Sequence, residues 1–134
     1  MKIGEYLYAN THAELLNELL GTDYKGYMKC AKILPDGKLL WMIELGDFVS
    51  KSGWKNRLVS LDRISEKQVT KEFDSHDTYK TNMNCFDARD RVLFEMVKCG
   101  GCRKYIFRGV FKLNKNECKA DENVWDLISE EYTL

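Results

Sequence analysis

A chain of 134 residues with 44% apolar and 12% aromatic side chains can bury enough surface to offset its ordering entropy, which excludes disorder and predicts one globular domain over residues 1–134. No apolar run approaches the roughly 20 residues that cross a bilayer, and Met1 to His12 carries no apolar secretory stretch, so a cytoplasmic protein with no membrane partner is expected. Lys plus Arg and Asp plus Glu each total 21, a balance that excludes the blanket phosphate attraction of a strongly basic chain.

Thr11-His12-Ala13-Glu14 reads as a capping box, Leu15, Leu16, Leu19 and Leu20 recur at helical spacing, and Gly21 suits a left-handed stop. A helix over 12–20 follows. Tyr27–Leu34 and Leu39–Leu45 flank Pro35-Asp36-Gly37, in which proline presets one turn torsion and glycine supplies positive φ, so the two runs form a hairpin. The second run is almost wholly apolar, as in a strand covered on both faces. Phe48-Val49-Ser50 extends it as a short strand. Lys51 to Arg57 holds three cations, one indole and Gly53, and reads as a loop. A further strand is expected near Gln68–Phe73.

Arg91–Lys98 and Arg103–Leu113 surround Gly100-Gly101, a two-residue loop that favours a primed turn. That turn sets a register: Lys98 opposite Arg103, Met96 opposite Tyr105, Phe94 opposite Phe107, Val92 opposite Gly109. Phe94, Met96, Tyr105 and Phe107 then share a core face. Leu93, Glu95, Val97, Lys104, Ile106 and Arg108 form a mixed outer face on which Glu95 pairs diagonally with Lys104 or Arg108. Gly109 marks a bend or a close backbone approach. Val124, Leu127, Ile128 and Tyr132 recur at helical spacing behind Asn123, which reads as a short C-terminal helix, with a terminal strand as the alternative.

Two hairpins whose faces need covering, plus one amphipathic helix, define an α+β fold: a strongly bent antiparallel sheet or small open β-barrel with the N-terminal helix packed on it.

Five cysteines without a secretory segment read as reduced thiols. Cys30 falls in an apolar strand pattern and reads as a core residue; Cys85 and Cys118 fall in polar loops. Cys99 and Cys102 become cross-strand neighbours at the hairpin tip, and with no second pair beside them they make no tetrahedral metal site, so neither metal nor cofactor is expected. His12 caps a helix and His76 lies in a polar loop, outside any nucleophile signature. Glu44, Asp47, Asp87, Asp90 and Glu95 are available as carboxylates but lack diagnostic spacing. No catalytic residue is assigned.

Charge is uneven along the chain: residues 1–50 carry 5 basic and 7 acidic groups, 51–112 carry 14 and 8, and 113–134 carry 2 and 6. Within the basic middle, Trp54 stands among Lys51, Lys55 and Arg57, and Lys98, Arg103 and Lys104 surround the second hairpin tip. Aromatic faces stack on bases while flanking cations meet phosphates, the chemistry of extruded or single-stranded nucleotides. These seven residues are the expected contacts of a non-catalytic module that binds DNA or RNA and reads a flipped or modified base. The alternative is a small interaction or inhibitor module, of the phage or mobile-element kind, docking on a host protein complex. In that reading Asp121, Glu122, Asp126, Glu130 and Glu131 mimic phosphates.

Arg91-Val92-Leu93-Phe94-Glu95 through Tyr105–Leu113 resembles a hairpin of bacterial domains found beside restriction-type nucleases. The order helix, hairpin, charged loop, hairpin is similar to small PUA-like barrels, modified-base readers among them. The resemblance implies nucleic-acid or defence-related biology in a restriction context and assigns no pocket residue.

Overall fold

The computed structural model describes residues 1–70 and 88–134. In chain order these form β1 (Tyr6–Ala9), α1 (His12–Leu20), β2 (Ala31–Ile33), β3 (Leu39–Ile43), β4 (Trp54–Ser60), β5 (Arg63–Gln68), β6 (Arg91–Cys99), β7 (Cys102–Leu113) and β8 (Glu122–Ser129). One bent sheet runs β2-β3-β6-β7-β8-β5-β4, with β1 added to β7. It is mixed, not purely antiparallel, because β3 and β6 run parallel, Leu39 beside Arg91 and Ile43 beside Glu95. It also stays open, with β2 and β4 at its two ends.

The expected helix is present. Thr11 Oγ1 accepts the Glu14 N–H at 3.1 Å, the Glu14 carboxylate accepts the Asn10 N–H at 2.7 Å, and Gly21 closes the helix at φ 66°. Ala13, Leu15 and Leu16 are its buried face. The Pro35-Asp36-Gly37 turn forms too, with Leu34 N–H donating to the Lys38 carbonyl at 2.8 Å. Its hairpin is short, since β2 spans only three residues.

All five residues of β3 are buried, because the sheet has a core on each face. The first core joins Leu15 and Leu16 of α1 to Leu40, Met42, Val92, Phe94, Tyr105, Phe107 and Val110. The second lies on the other face, called the inner face below, and holds Trp41, Ile43, Ile64, Leu93, Phe111, Leu113 and Trp125. Leu93 therefore belongs to a core, not to a mixed surface. Burial of such side chains supplies about 1.5–3 kcal/mol each, which is what holds the layers together.

The second hairpin keeps the expected register at Lys98–Arg103, Met96–Tyr105 and Phe94–Phe107, and loses it one step further. Gly109 faces Leu93, and Val92 faces Val110, because Arg108 is an extra residue in β7. This bulge returns the side-chain alternation to the opposite face. Arg108 itself turns to Glu95, Nε donating to Oε1 at 2.8 Å and Nη2 at 2.6 Å, the expected diagonal pair.

Several local readings are corrected. Residues 122–129 are strand β8, not a helix, because that strand completes the second core through Trp125. The loop read over Lys51–Arg57 ends at Gly53, since Trp54 begins β4 paired with β5. The strand sought at Gln68–Phe73 lies earlier, at Arg63–Gln68, and residues 71–73 lie outside the described residues, as do His76, Cys85 and Asp87. Val49 makes only a single bridge, to Lys55. Cys30 is exposed ahead of β2, not in a core. Cys118 is half-buried and accepts the Val124 N–H at 3.2 Å.

Two predictions follow from this packing. A Cβ on Gly109, at φ 112°, would stand 2.4 Å from Leu127 Cδ1 and 2.9 Å from the Ser129 carbonyl oxygen, whereas one on Gly4, at φ 93°, meets nothing within 4 Å. Gly109→Ala should cost about 2–4 kcal/mol in urea denaturation, from backbone strain plus overpacking, and Gly4→Ala about 1 kcal/mol from strain alone. Equal losses at the two sites would show that β8 yields freely.

The second concerns His12, whose Nδ1 lies 2.8 Å from the Tyr105 hydroxyl. Burial, with the nearby Arg103 cation adding to it, holds the imidazole below its ordinary 6.5. As pH falls the unfolded chain protonates here first, so stability is untouched above about pH 6.5, declines below it, and levels off once the folded value is passed. The stability advantage of wild type over His12→Gln should therefore shrink from about pH 7 to pH 5. A constant advantage across that window contradicts the assignment.

Candidate nucleic-acid interface

The side-chain alternation of β4, β5 and β8 lays two rows across the inner face. Leu58, Ile64 and Trp125 form an apolar row, Leu58 opposite Ile64 and Ile64 opposite Trp125. One step along, Asn56, Glu66 and Asn123 form a polar row by the same pairing. Trp54 and Gln68 face each other one step beyond. A three-strand row of polar side chains on an inner face calls for partners, since burying such groups unpaired is costly.

Those partners converge on Arg91, which enters from β6 and is 7% exposed. Its Nη1 lies 3.4 Å from Glu66 Oε2. Its guanidinium carbon stands 4.3 Å from the Trp41 ring centre and 4.0 Å from that of Trp125. The two indoles are 5.9 Å apart and inclined at 51°, an open V holding a flat cation. Glu66 Oε1 accepts the Asn123 amide at 2.9 Å and the Trp125 indole N–H at 3.4 Å. Asn56 Oδ1 is buried with no hydrogen-bond partner among the described residues. The buried cluster thus brings together two indole rings, a carboxylate acceptor, a carboxamide and a buried acceptor with no partner among the described residues.

The seven residues singled out by sequence are not gathered into one patch. Trp54 is half-buried on the inner face with Gln68, while Lys55 and Arg57 alternate to the outer face. Lys51 is exposed in the turn before β4. Lys55 reaches Asp47 at 3.4 Å and Lys98 reaches Glu44 at 3.6 Å, so both flank the same short link after β3. Arg103 pairs with Ala9 on the side of the first core, and Lys104 lies on the opposite face, its Nζ 4.0 Å from the Tyr6 ring centre. Beside Lys104 stand Tyr6 and Tyr8, 49% and 62% exposed, which sequence reasoning passed over with β1 itself. The buried Trp41–Arg91–Trp125 cluster was missed as well. Its only trace in the sequence is a polar residue at an inward position of each of three strands, and that pattern appears only once the strands are paired.

The acidic C-terminal residues are largely engaged within the chain. Asp126 takes Arg63 Nε at 2.7 Å and Asn114 Nδ2 at 2.7 Å, Glu122 takes the Ser65 hydroxyl at 2.5 Å, and Asp121 lies 3.9 Å from Lys67. Arg63 and Asn114 hold the Asp126 carboxyl below the usual carboxylate range. A shallow hollow of about 880 Å³ between the N-terminal segment and α1, lined by Ile3, Tyr6, Leu7 and Leu19 among others, brings together no nucleophile and base. Among the described residues no three His, Cys, Asp or Glu side chains could hold a metal ion, and no helix is long and apolar enough to cross a membrane.

No curated protein matches the chain. Among solved structures it is similar to the 5-hydroxymethylcytosine-specific restriction enzyme AbaSI, at a TM-score of 0.69 and 21% identity, over 97% of this chain and 40% of that one. The chain thus spans about two fifths of that enzyme's length, and at this identity the likeness speaks for the fold. The PUA-like plan expected from the order of the elements agrees with it. Residues 2–134 match the SET and RING associated (SRA) domain over almost the entire sequence, and the protein belongs to that family.

Proposed function

We propose that this SRA domain is a non-catalytic DNA-binding module that reads a modified cytosine turned out of the duplex. The observation that carries the reading is the planar Arg91 guanidinium lodged between Trp41 and Trp125 with Glu66 in reach. A flat ring of similar thickness suits the same walls. A carboxylate accepts the exocyclic amine of cytosine, and a site on the inner face is reached only by a base that has left the stack. In this reading Glu66, Asn123 and Asn56 contact the base edge, and Arg91 holds the place between the indoles until the base arrives. Lys104, on the same side of the sheet as the inner row, meets a phosphate, with Lys51, Lys55, Arg57 and Lys98 as further candidates near the β4 end; Arg103, on the helix side, takes no part, and Trp54 borders the inner row. The family, and the specificity named for AbaSI, support a modified cytosine as the ligand and a restriction context for it.

The test is anisotropy titration of duplexes that differ only in one cytosine, unmodified, methylated or hydroxymethylated. Wild type should prefer one modified form. Glu66→Gln should erase about tenfold or more of that preference, since a base-edge contact is worth about 1–3 kcal/mol, and leave the salt dependence unchanged. Lys104→Ala should weaken all duplexes alike and lower the salt slope by about 0.9 if it loses one phosphate. Equal affinity of wild type for all three duplexes would overturn base reading, and no salt-dependent binding at all would overturn the DNA partner.

A further inference from the structure

The sharpest unassigned chemistry lies at the tip of the second hairpin. Gly100 and Gly101, at φ 51° and 88°, close a primed two-residue turn, and Cys99 and Cys102 face each other across it. Their Sγ atoms are 3.7 Å apart. Directly opposed residues of an antiparallel pair have Cα atoms about 4.5–5.5 Å apart, inside the roughly 4.4–6.8 Å that a disulfide spans, so bond formation needs side-chain rotation and little backbone movement. Cys99 is exposed and Cys102 partly so. Two thiolates fill only half of a tetrahedral zinc shell, and among the described residues nothing else completes it.

We propose that Cys99 and Cys102 form a thiol–disulfide exchange site whose substrate is a small external disulfide of the glutathione class. Cys99 is the attacking sulfur. Cys99 is the more exposed of the two, and Cys102 donates its S–H toward the Cys99 carbonyl at 3.1 Å. The Cys99 thiolate, its proton lost to water, attacks one sulfur of the external disulfide and expels a thiolate that takes up a proton. Cys102 then loses its proton and attacks the Cys99 sulfur, expelling the second thiolate. The hairpin gives up two electrons and two protons, and the external disulfide becomes two thiols. The proposal stands apart from the DNA reading, because it rests on the turn alone.

Trypsin cuts after Lys98 and Arg103 and so releases Cys99–Arg103 with both sulfurs in one peptide. After the native protein is incubated with oxidised glutathione and quenched with acid, mass spectrometry should find this peptide lighter by two hydrogens. In Cys102→Ser the peptide should instead carry glutathione on Cys99, and Cys99→Ser should acquire the adduct at least tenfold more slowly. A wild-type peptide that keeps both thiols, or accumulates only the adduct, overturns the exchange site. Faster labelling of Cys99→Ser than of Cys102→Ser overturns the assignment of the attacking sulfur.

Discussion

Strand β7 must satisfy three neighbours at once, β6 from Cys102 to Phe111, β1 near its start and β8 at its end. The extra residue Arg108 and the left-handed backbone of Gly109 divide it into two halves with opposite side-chain phase. Before the bulge, Tyr105 and Phe107 point to the helix side; after it, Phe111 and Leu113 point to the inner face. One inserted residue thereby switches which positions of the strand face each core, and a bulge of this kind bends the strand that carries it. The absence of a side chain at Gly109 is what lets β8 come close at this point.

The inner face shows that stability is not the sole term governing this sequence. Desolvating Arg91 and Glu66 costs several kcal/mol per ion, and apolar residues of similar volume in their place are often neutral or stabilising. The chain nevertheless sets a guanidinium, a carboxylate and two carboxamides over Trp125, where another Leu or Phe would pack. Among the described residues Asn56 Oδ1 in this buried polar row has no partner, an exception to the rule that buried polar groups are paired.

Local signals in the sequence were sufficient for elements whose determinants sit side by side. Helix α1 was legible because its cap, its stripe of leucines and its glycine stop occupy eleven consecutive positions, and the β6–β7 register was legible because Gly100-Gly101 admits essentially one turn. The register failed beyond Phe94 because a bulge leaves no composition signature other than Gly109. Strand β8 was read first as a helix because Val124, Leu127 and Ile128 satisfy a helical period by coincidence, while Trp125 and Asn123 reveal their inward phase only against β5. The same reason hid the buried cluster. Arg91, Glu66 and Trp125 come from three strands, and their proximity is a product of topology, not of spacing. The cations at Lys98 and Lys55 were found by type, but sequence could not show that Glu44 and Asp47 stand next to them.

The end of the sheet at β4 bears on how the molecule behaves in a crowd of its own copies. An open strand offers its backbone as a template for another chain, and Val59 and Leu61, 58% and 86% exposed, would make such pairing adhesive. The first half of β4 is covered, because Gly46 donates to the Asn56 carbonyl at 2.8 Å and Val49 bridges to Lys55. Among the described residues, nothing pairs with the outer edge from Arg57 to Ser60. Arg57, exposed and positive on that stretch, would confront its own like charge if two copies met edge to edge in register, the kind of edge charge that disfavours growth of a sheet from one chain to the next.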